Sequence, residues 1–276
     1  MDASSVRPRN RVKAWRDKVL PDTQFLRAEY LMHRFPPHVH DEFAIGFIER
    51  GAQAAVMREH SLHVLMPAGT ICVINPGQFH EGSQFSEIGW DYRMIYISPD
   101  DLGTLLSADV RAPLHFPEHV IDDPETLLAI RMAHLSAESG DASLLEQSSR
   151  LTFALNQLVS RHAMKGRSQR QMLAMPGGVK RARDYIDAHI GSNPTLQEIA
   201  DVAGLSPFHL LREFKRVIGL APHAYLMQRR VEHAKRLLLS GRPLRTIAID
   251  LGYADQSHLS REIRRFLGVP PSALHP

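Results

Sequence analysis

The sequence predicts a multi-domain protein of mixed α and β structure, with an N-terminal β-barrel or jelly roll, helices after it, and an all-α C-terminal domain. Residues 23–98 consist of short apolar runs separated by Gly, Pro and Asn. This pattern is typical of closely spaced strands. The last hundred residues instead repeat one helical pattern twice. At roughly 150 residues per domain, the chain has room for about two domains.

The predicted strands include three apolar runs at residues 43–48, 71–74 and 94–97. We expect a flexible lead-in over residues 1–20 and a barrel over residues 21–121. Cys72, the single cysteine, lies in the second run and therefore indicates a buried thiol and a reducing compartment. No apolar stretch reaches the ~18 residues of a membrane helix, so we expect a soluble cytoplasmic protein without a membrane partner.

Helical periodicity follows the barrel over residues 122–164, with one helix expected at residues 125–139 and another at about 142–164. In the second helix Leu144, Leu151, Leu155 and Leu158 form one stripe, close to a heptad seam. This stripe either packs on the barrel or forms a dimer interface. A polar, Gly-containing linker is expected at residues 165–177.

Residues 178–276 contain the repeat, which predicts two helix-turn-helix units at about residues 195–216 and 244–266. Leu196-Gln197-Glu198-Ile199-Ala200 returns 48 residues later as Leu244-Arg245-Thr246-Ile247-Ala248, each followed by a glycine. The pattern that begins at His209-Leu210 returns 49 residues later at His258-Leu259. A helix over residues 222–240, roughly 28 Å long, joins the copies.

Each copy carries the local signals of helix boundaries. Thr195 and Glu198 have capping-box spacing, Gly204 suits the turn, and Ser206 precedes Pro207 as an N-cap. In the second copy Gly252 and Asp255 provide the turn and the N-cap. Leu210 and Phe214, and likewise Leu259 and Ile263, are expected to point inward.

In each copy, the residues on the outer face of the second helix indicate binding of double-stranded DNA. Residues 176–276 hold 15 Lys and Arg against 9 Asp and Glu, whereas residues 1–175 hold 18 against 21. One such hairpin could be an ordinary pair of helices with solvated arginines, but two copies in register favour base and phosphate contacts. The predicted DNA-binding residues are Phe208, His209, Leu211, Arg212, Lys215, Gln256, Ser257, His258, Arg261 and Arg265.

The residues of both copies resemble the DNA-binding domain of the AraC/XylS transcriptional regulators. The resemblance covers residues 177–274 and includes Gly204-Leu205-Ser206-Pro207 and Gly252-Tyr253-Ala254-Asp255-Gln256. It implies a bacterial regulator, often an activator, that binds DNA, a small effector and RNA polymerase, forms a homodimer and is not an enzyme. Leu259 and Ile263 stand where the family usually has Phe, which leaves the function unaffected.

The N-terminal half resembles the cupin-like sensor barrel of the same family. His38-x-His40-x-Glu42 resembles the first cupin motif, and Pro67-x-Gly69 with His80 resembles the second. These four side chains either line an effector pocket or hold a divalent metal, since imidazole and carboxylate suit Fe, Mn, Ni or Zn; we expect no cofactor. Further pocket candidates are Trp90, Tyr92 and Arg93.

Two other functions remain open at this point. A cupin-type metalloenzyme with a helical appendage would use His38, His40, Glu42 and His80, but it leaves the duplicated half unexplained. An effector-independent DNA-binding protein would use its barrel only for dimerisation.

Overall fold

The computed structural model describes residues 10–18, 20–57, 62–106, 114–165 and 175–274. Its N-terminal part is a β domain with three following helices, and its C-terminal part is entirely helical. This arrangement confirms the predicted fold class. No helix in these ranges is long and apolar enough to cross a membrane.

Long antiparallel strands build one nine-stranded sheet with the central order β1-β2-β8-β4-β6-β10. The second half of β4 leaves this path and pairs with β5 and β7, and β7 also pairs with β3. A separate two-stranded sheet joins β9 and β11. The strands are β1 (Arg11–Arg16), β2 (Gln24–Tyr30), β3 (Arg34–His38), β4 (Phe43–Met57), β5 (Leu62–Pro67), β6 (Ile71–Ile74), β7 (His80–Gln84), β8 (Trp90–Ile97), β9 (Leu114–His115), β10 (Val120–Ile121) and β11 (Met164–Lys165).

Side chains alternate between two cores across the central strands. In β8, Tyr92 and Met94 face an inner, aromatic-rich core, whereas Ile95 and Ile97 face an outer core beneath the helices. Because both faces are buried, these strands read as continuous apolar runs. The predicted runs at residues 43–48, 71–74 and 94–97 lie in β4, β6 and β8, which confirms them. Burial of Cys72 raises the pKa of its thiol to about 12, so this cysteine is inert.

The prediction of a flexible lead-in over residues 1–20 is wrong for residues 11–16. They form β1, whose six residues pair with β2 in unbroken register from Arg11 with Glu29 to Arg16 with Gln24. The short strand carries three charged residues, and its pairing with β2 is a tertiary contact that local periodicity does not record. Residues 1–9 lie outside the described residues.

Three helices cover the outer core: α1 (Pro99–Leu106), α2 (Pro124–Ser139) and α3 (Leu144–His162). The ends of α2 and α3 match the predicted helices to within two residues. Leu151, Leu155 and Leu158 are buried in the outer core, whereas Leu144 is exposed. The leucine stripe therefore packs on the sheet, which decides between the two alternatives for those three residues.

Six helices form the C-terminal domain over residues 175–274, and three of them begin directly after the predicted caps Thr195, Ser206 and Asp255. They are α4 (Gly177–Ala188), α5 (Leu196–Ala203), α6 (Pro207–Ile218), α7 (Pro222–Leu239), α8 (Leu244–Asp250) and α9 (Gln256–Leu267), followed by a 3₁₀ turn at Pro271–Ala273. One core contains α4–α6 and the start of α7. A second core contains the end of α7 with α8 and α9. Most of the predicted linker, residues 166–174, lies outside the described residues.

We expect Leu155→Ala to lower the free energy of unfolding by about 2–5 kcal/mol, because it removes a fully buried side chain between α3 and the sheet. The neighbouring Asn156→Ala, on the exposed side of the same helix, should change it by less than about 0.5 kcal/mol. Denaturant unfolding measures both. Equal effects of the two substitutions would contradict the packing of α3.

Candidate nucleic-acid interface and ligand cavity

Helices α5 and α6 form the first helix-turn-helix unit, with the boundary residues that the sequence predicts. Thr195 and Glu198 form a complete capping box at the start of α5. Gly204 ends the helix in the left-handed conformation, at φ 67°, where a side chain would be strained. The Ser206 hydroxyl then accepts from the His209 amide and starts α6. The turn is fixed by local hydrogen bonds, so α6 presents a defined face.

The predicted contact residues of the first unit all lie on its exposed face. Leu210 and Phe214 are fully buried, as predicted, and the opposite side of α6 faces outward. Phe208, in the first turn of α6, is 76 % exposed. An apolar ring at this position can contact a thymine methyl in the major groove. The other exposed contact candidates on this helix are His209, Leu211, Arg212 and Lys215.

Helices α8 and α9 repeat the arrangement. The Asp255 carboxylate accepts from the His258 amide at 2.7 Å and caps α9. Leu259 and Ile263 are fully buried, as predicted. His258 is half-buried and meets the Tyr253 ring edge-on at 5.1 Å. The exposed contact candidates on this helix are Gln256, Ser257, Arg261 and Arg265.

The arginines of the two outer faces differ in their pairing. Arg265 has a carboxylate partner on its own helix, Glu262, at 3.5 Å. Within the described part of the chain, Arg212 and Arg261 have no carboxylate within 4.0 Å. An exposed guanidinium without a partner can pair with guanine or phosphate without first breaking an ion pair. Arg212 and Arg261 are therefore the strongest candidates for DNA contact.

Three of the predicted barrel residues, His38, His40 and His80, come together. The rings of His38 and His80 have centroids 4.0 Å apart, and His40 lies 5.0 Å from His80. Each Nδ1 lies 2.7–3.0 Å from a backbone carbonyl oxygen two residues away. A carbonyl oxygen only accepts, so each Nδ1 carries the proton and each Nε2 is an acceptor.

The histidines are held in their neutral form. Burial, the largest cause, lowers the pKa of His40 to about 4, with His38 adding to the shift. It also lowers the pKa of His38 and His80. In the described ranges, no group of three or more His, Cys, Asp or Glu side chains is arranged to hold a metal ion. The residues proposed as a metal site, with Glu42 among them, thus do not assemble as ligands here.

The ligand-sized space lies outside the sheet, between the β domain and α7. A cavity of about 460 Å³ is bounded by His38, His40 and Glu42 on one side and by α7 on the other. The cavity inside the sheet, beside His80 and Tyr92, holds only about 50 Å³. Since small-molecule sites usually measure about 300–1,000 Å³, the interdomain cavity has room for an effector, whereas the cavity inside the sheet does not.

Unpaired polar groups gather around one aromatic ring of this cavity, Tyr96 of β8. The Lys235 ammonium lies 4.4 Å above the ring centroid, and the His40 ring meets it edge-on at 5.9 Å. Gln24 pairs directly with Tyr96 across the β2–β8 register. Gln24 is 5 % exposed and His40 is 6 % exposed. Gln24 Oε1 and His40 Nε2 are both buried without a hydrogen-bond partner in the described part of the protein.

Charged residues of α7 complete the polar wall. Burial lowers the pKa of Lys235 to about 8 and raises that of Glu232 to about 7, since both are charged groups removed from water. Within the described ranges, no carboxylate lies within 4.0 Å of the Lys235 ammonium. The cavity therefore offers an unpaired donor beside two unpaired acceptors.

The remaining pocket candidates lie elsewhere. Trp90 is fully buried in the inner aromatic core, 5.2 Å from the Tyr30 ring. Arg93 lies on the opposite face of β8 from Tyr92, in ion pairs with Glu49 (3.0 Å) and Glu138. The predicted grouping of Arg93 with Tyr92 is thus wrong, because adjacent residues of a strand point to opposite faces.

Hydrogen bonds and an ion pair join the two domains, and no sequence pattern predicted them. Gln228 of α7 pairs with the Val39 backbone in both directions, accepting from the amide at 3.1 Å and donating to the carbonyl. Arg229 forms an ion pair with Asp41 at 2.9 Å. Long-range pairs of this kind have no local spacing pattern, so only a comparison of related sequences could have revealed them.

The second helix-turn-helix unit also touches the β domain. The Tyr30 hydroxyl donates to the carbonyl of Leu267, in the last turn of α9, at 2.6 Å. Asn10 donates to the carbonyl of Gly268 at 3.3 Å. The β domain thus satisfies carbonyls that the end of α9 leaves without helical partners.

Comparison with known proteins agrees with both halves of this description. Residues 20–155 match the AraC-like ligand binding domain, and residues 199–275 match a helix-turn-helix domain. The chain belongs to the AraC family of transcriptional regulators. It is therefore a transcription regulator with an N-terminal ligand-binding domain and a DNA-binding helix-turn-helix domain.

Similar proteins from bacteria align with most of the chain. The HTH-type regulator YbfI of Bacillus subtilis is 28 % identical over 237 residues, which are 84 % of each chain. The HTH-type transcriptional activator RhaS of Escherichia fergusonii is 26 % identical over 86 % of each. The crystal structure of ToxT from Vibrio cholerae has the same fold, with a TM-score of 0.58 and 11 % identity, over 96 % of this chain and 95 % of that one.

We expect Arg212→Ala and Arg261→Ala each to weaken sequence-specific DNA binding by about 1–3 kcal/mol and to relax base preference locally, since each removes an exposed, unpaired guanidinium. Fluorescence anisotropy at fixed salt measures the affinity. Arg131→Ala is the control, because it removes one positive charge from α2, outside both helix-turn-helix units. Unchanged affinity in both test variants would contradict the proposed orientation of α6 and α9 on DNA.

Proposed function

We propose that this chain regulates transcription in response to a small polar effector that binds in the interdomain cavity. One observation carries the proposal: α7 lines the cavity and also joins the two helix-turn-helix units. An occupant that contacts Lys235 or Gln228 therefore touches the element that holds both DNA-reading helices. Its binding free energy can favour one arrangement of the domains over another.

The chemistry of the unpaired groups indicates what the effector carries. A hydroxyl group can donate to Gln24 Oε1 or His40 Nε2 and accept from the Lys235 ammonium, so one kind of group satisfies all three. The rings of Phe35, Tyr96 and Phe266 offer apolar contact beside them. We infer an effector with several hydroxyl groups. A fatty acid, named as the bound molecule of one ToxT structure, is the competing chemistry, with its carboxylate on Lys235.

We infer further that the chain is an activator that contacts RNA polymerase and is not an enzyme. Support comes from RhaS, which is named as a transcriptional activator and covers most of this chain. The metalloenzyme alternative lacks a ligand set among the described side chains.

The proposal of a homodimer rests on α2 and α3. Leu128, Met132 and Leu135 of α2 are exposed at i, i+4 and i+7, which is one helix face. On α3, Leu145 is 77 % exposed and Phe153 is exposed as well. Exposed apolar side chains that recur along a helix mark an association surface. We propose a second copy of the chain as its partner.

Thermal unfolding in the presence of sugars, polyols, hydroxy acids and long-chain fatty acids tests the effector site. We expect a hydroxylated compound at 100 times its Kd to stabilise the protein by about 2.7 kcal/mol. Lys235→Met and Gln24→Leu should abolish the shift, because they remove the groups that contact the effector. Met32→Ala, exposed and outside the cavity, should retain it. A compound that stabilises both cavity variants as strongly as the original chain would refute the site.

The combined substitution Leu145→Glu and Phe153→Glu should convert the dimer to a monomer of 31.1 kDa, since it buries two carboxylates in an apolar contact. Light scattering after size-exclusion chromatography gives the mass. Leu65→Glu, an exposed leucine of β5, should leave the dimer intact. A monomeric original chain at micromolar concentration would end the proposal.

A further inference from the structure

We infer that Arg230 of α7 positions the two helix-turn-helix units relative to each other and thereby sets the spacing between the two DNA segments that the chain reads. α7 is 18 residues long, about 27 Å, and joins the two units. A helix fixes the separation of its ends, but it does not fix how each unit is rotated about it. Each unit packs its own apolar core on α7, and a side chain that contacts both units constrains their relative rotation directly.

Arg230 makes this contact. Its side chain is 2 % exposed and projects between the loop that precedes α5 and the turn that precedes α9. The guanidinium donates to the carbonyl of Ile190 at 2.8 Å, to the carbonyl of Ser192 and to Asn193 Oδ1 at 3.0 Å. The guanidinium carbon also lies 5.4 Å from the centroid of the Tyr253 ring. One side chain thus contacts both units.

The two units also touch each other at this point, with no space between their backbones. A Cβ on Gly191 would lie 2.5 Å from the Asp250 carbonyl oxygen, and a Cβ on Gly252 would lie 2.6 Å from the Gly191 carbonyl oxygen. Gly252 also has φ 70°, where other residues are strained. The absence of side chains at both positions lets Arg230 reach its acceptors.

We call this contact region, formed by Arg230, residues 190–193, Gly252 and Tyr253, the junction. Tyr253 connects the junction to the DNA-facing surface. Its ring lies against Arg230 on one side and against His258 on the other. His258 belongs to the first turn of α9, the part of a recognition helix that contacts bases. A rotation of the second unit about α7 would therefore change the position of His258 relative to α6.

The chemistry of the junction makes it specific for arginine. In the described part of the chain, Arg230 has no carboxylate within 4.0 Å, so its buried charge is satisfied by oxygens of residues 190–193 and by the Tyr253 ring. Burial lowers the pKa of Arg230, and the neighbouring Tyr253 side chain offsets this shift only in part. A planar guanidinium presents its donors in a fixed fork and stacks on a ring, whereas an ammonium does neither. Arg230→Lys keeps the charge but loses this geometry.

If the rotation of the two units about α7 is fixed, their recognition helices fit two DNA segments only at one particular separation in base pairs. If the junction loosens, either helix can still bind its own segment, but the preferred separation is lost. The effect on spacing distinguishes a positioning role from a purely structural one, since simple destabilisation lowers the affinity for every spacing alike.

Selection from a duplex library of ~30 random base pairs, about three helical turns, tests the inference with the full-length chain. Sequencing of the bound DNA gives the distance between the two recovered segments. We expect the original chain to prefer one distance over its neighbours by at least about tenfold, which a 1.4 kcal/mol difference supplies. Arg230→Gln and Arg230→Lys should each reduce this preference below threefold while single-segment sites are still recovered.

Gly191→Ala provides an independent route if the Arg230 variants fail to fold. It leaves the guanidinium in place and separates the two backbones, so it should broaden the spacing in the same way. Arg131→Gln removes an exposed arginine of α2 in the β domain, outside the junction, and should keep the preferred spacing. Far-UV circular dichroism confirms that each variant is folded.

A folded Arg230→Gln or Gly191→Ala variant that recovers the same sharp spacing as the original chain would overturn the inference. The inference would also be overturned if the original chain itself selected only isolated segments and no pairs at a preferred distance. No enrichment of any sequence by the original chain would instead count against DNA reading itself, so the two failures are distinguishable.

Discussion

Helix α7 is buried on three sides at once, and the arrangement of both domains depends on how each side is satisfied. Tyr225 and Leu226 pack into the core of the first helix-turn-helix unit, and Val231 and Leu238 pack into the core of the second. The third side faces the β domain, where Gln228 pairs with the Val39 backbone. A helix buried all round normally has an apolar surface, but α7 meets the β domain with polar and charged groups.

The polar contact between α7 and the β domain can be broken and re-formed more easily than an apolar core. Burial of apolar surface favours one packed state, whereas hydrogen bonds and ion pairs in a partly wet cavity exchange for ligand or water at small net cost. Arg229 has three carboxylates within 2.9 Å, those of Asp41, Asp187 and Glu232, so its contact with the β domain can be released while its charge stays paired. The two apolar cores of the C-terminal domain meanwhile keep each unit intact.

The sequence predicted features that depend on local spacing and missed features that depend on tertiary contact. Thr195, Ser206 and Asp255 cap the helices that their spacing indicated, because a cap involves residues three positions apart. The position of His40 near His80 followed from family motifs. The location of the interdomain cavity did not, because that cavity forms where α7 lies against the sheet. Arg230 was missed for the same reason: its acceptors are about 40 residues away in the chain.

Reciprocity links the cavity to the DNA-reading surface. An effector that favours one placement of α7 changes DNA affinity by some factor, and DNA must then change the affinity for the effector by the same factor. In the regulation that we propose, the unpaired Gln24 and His40 acceptors supply the effector side of this coupling, and the Arg230 junction supplies the DNA side. Because the junction holds the two units to each other, displacement of α7 from the β domain moves both recognition helices as one body. In the regulation that we propose, the effector controls whether that body is free to dock, and the junction controls which spacing it fits.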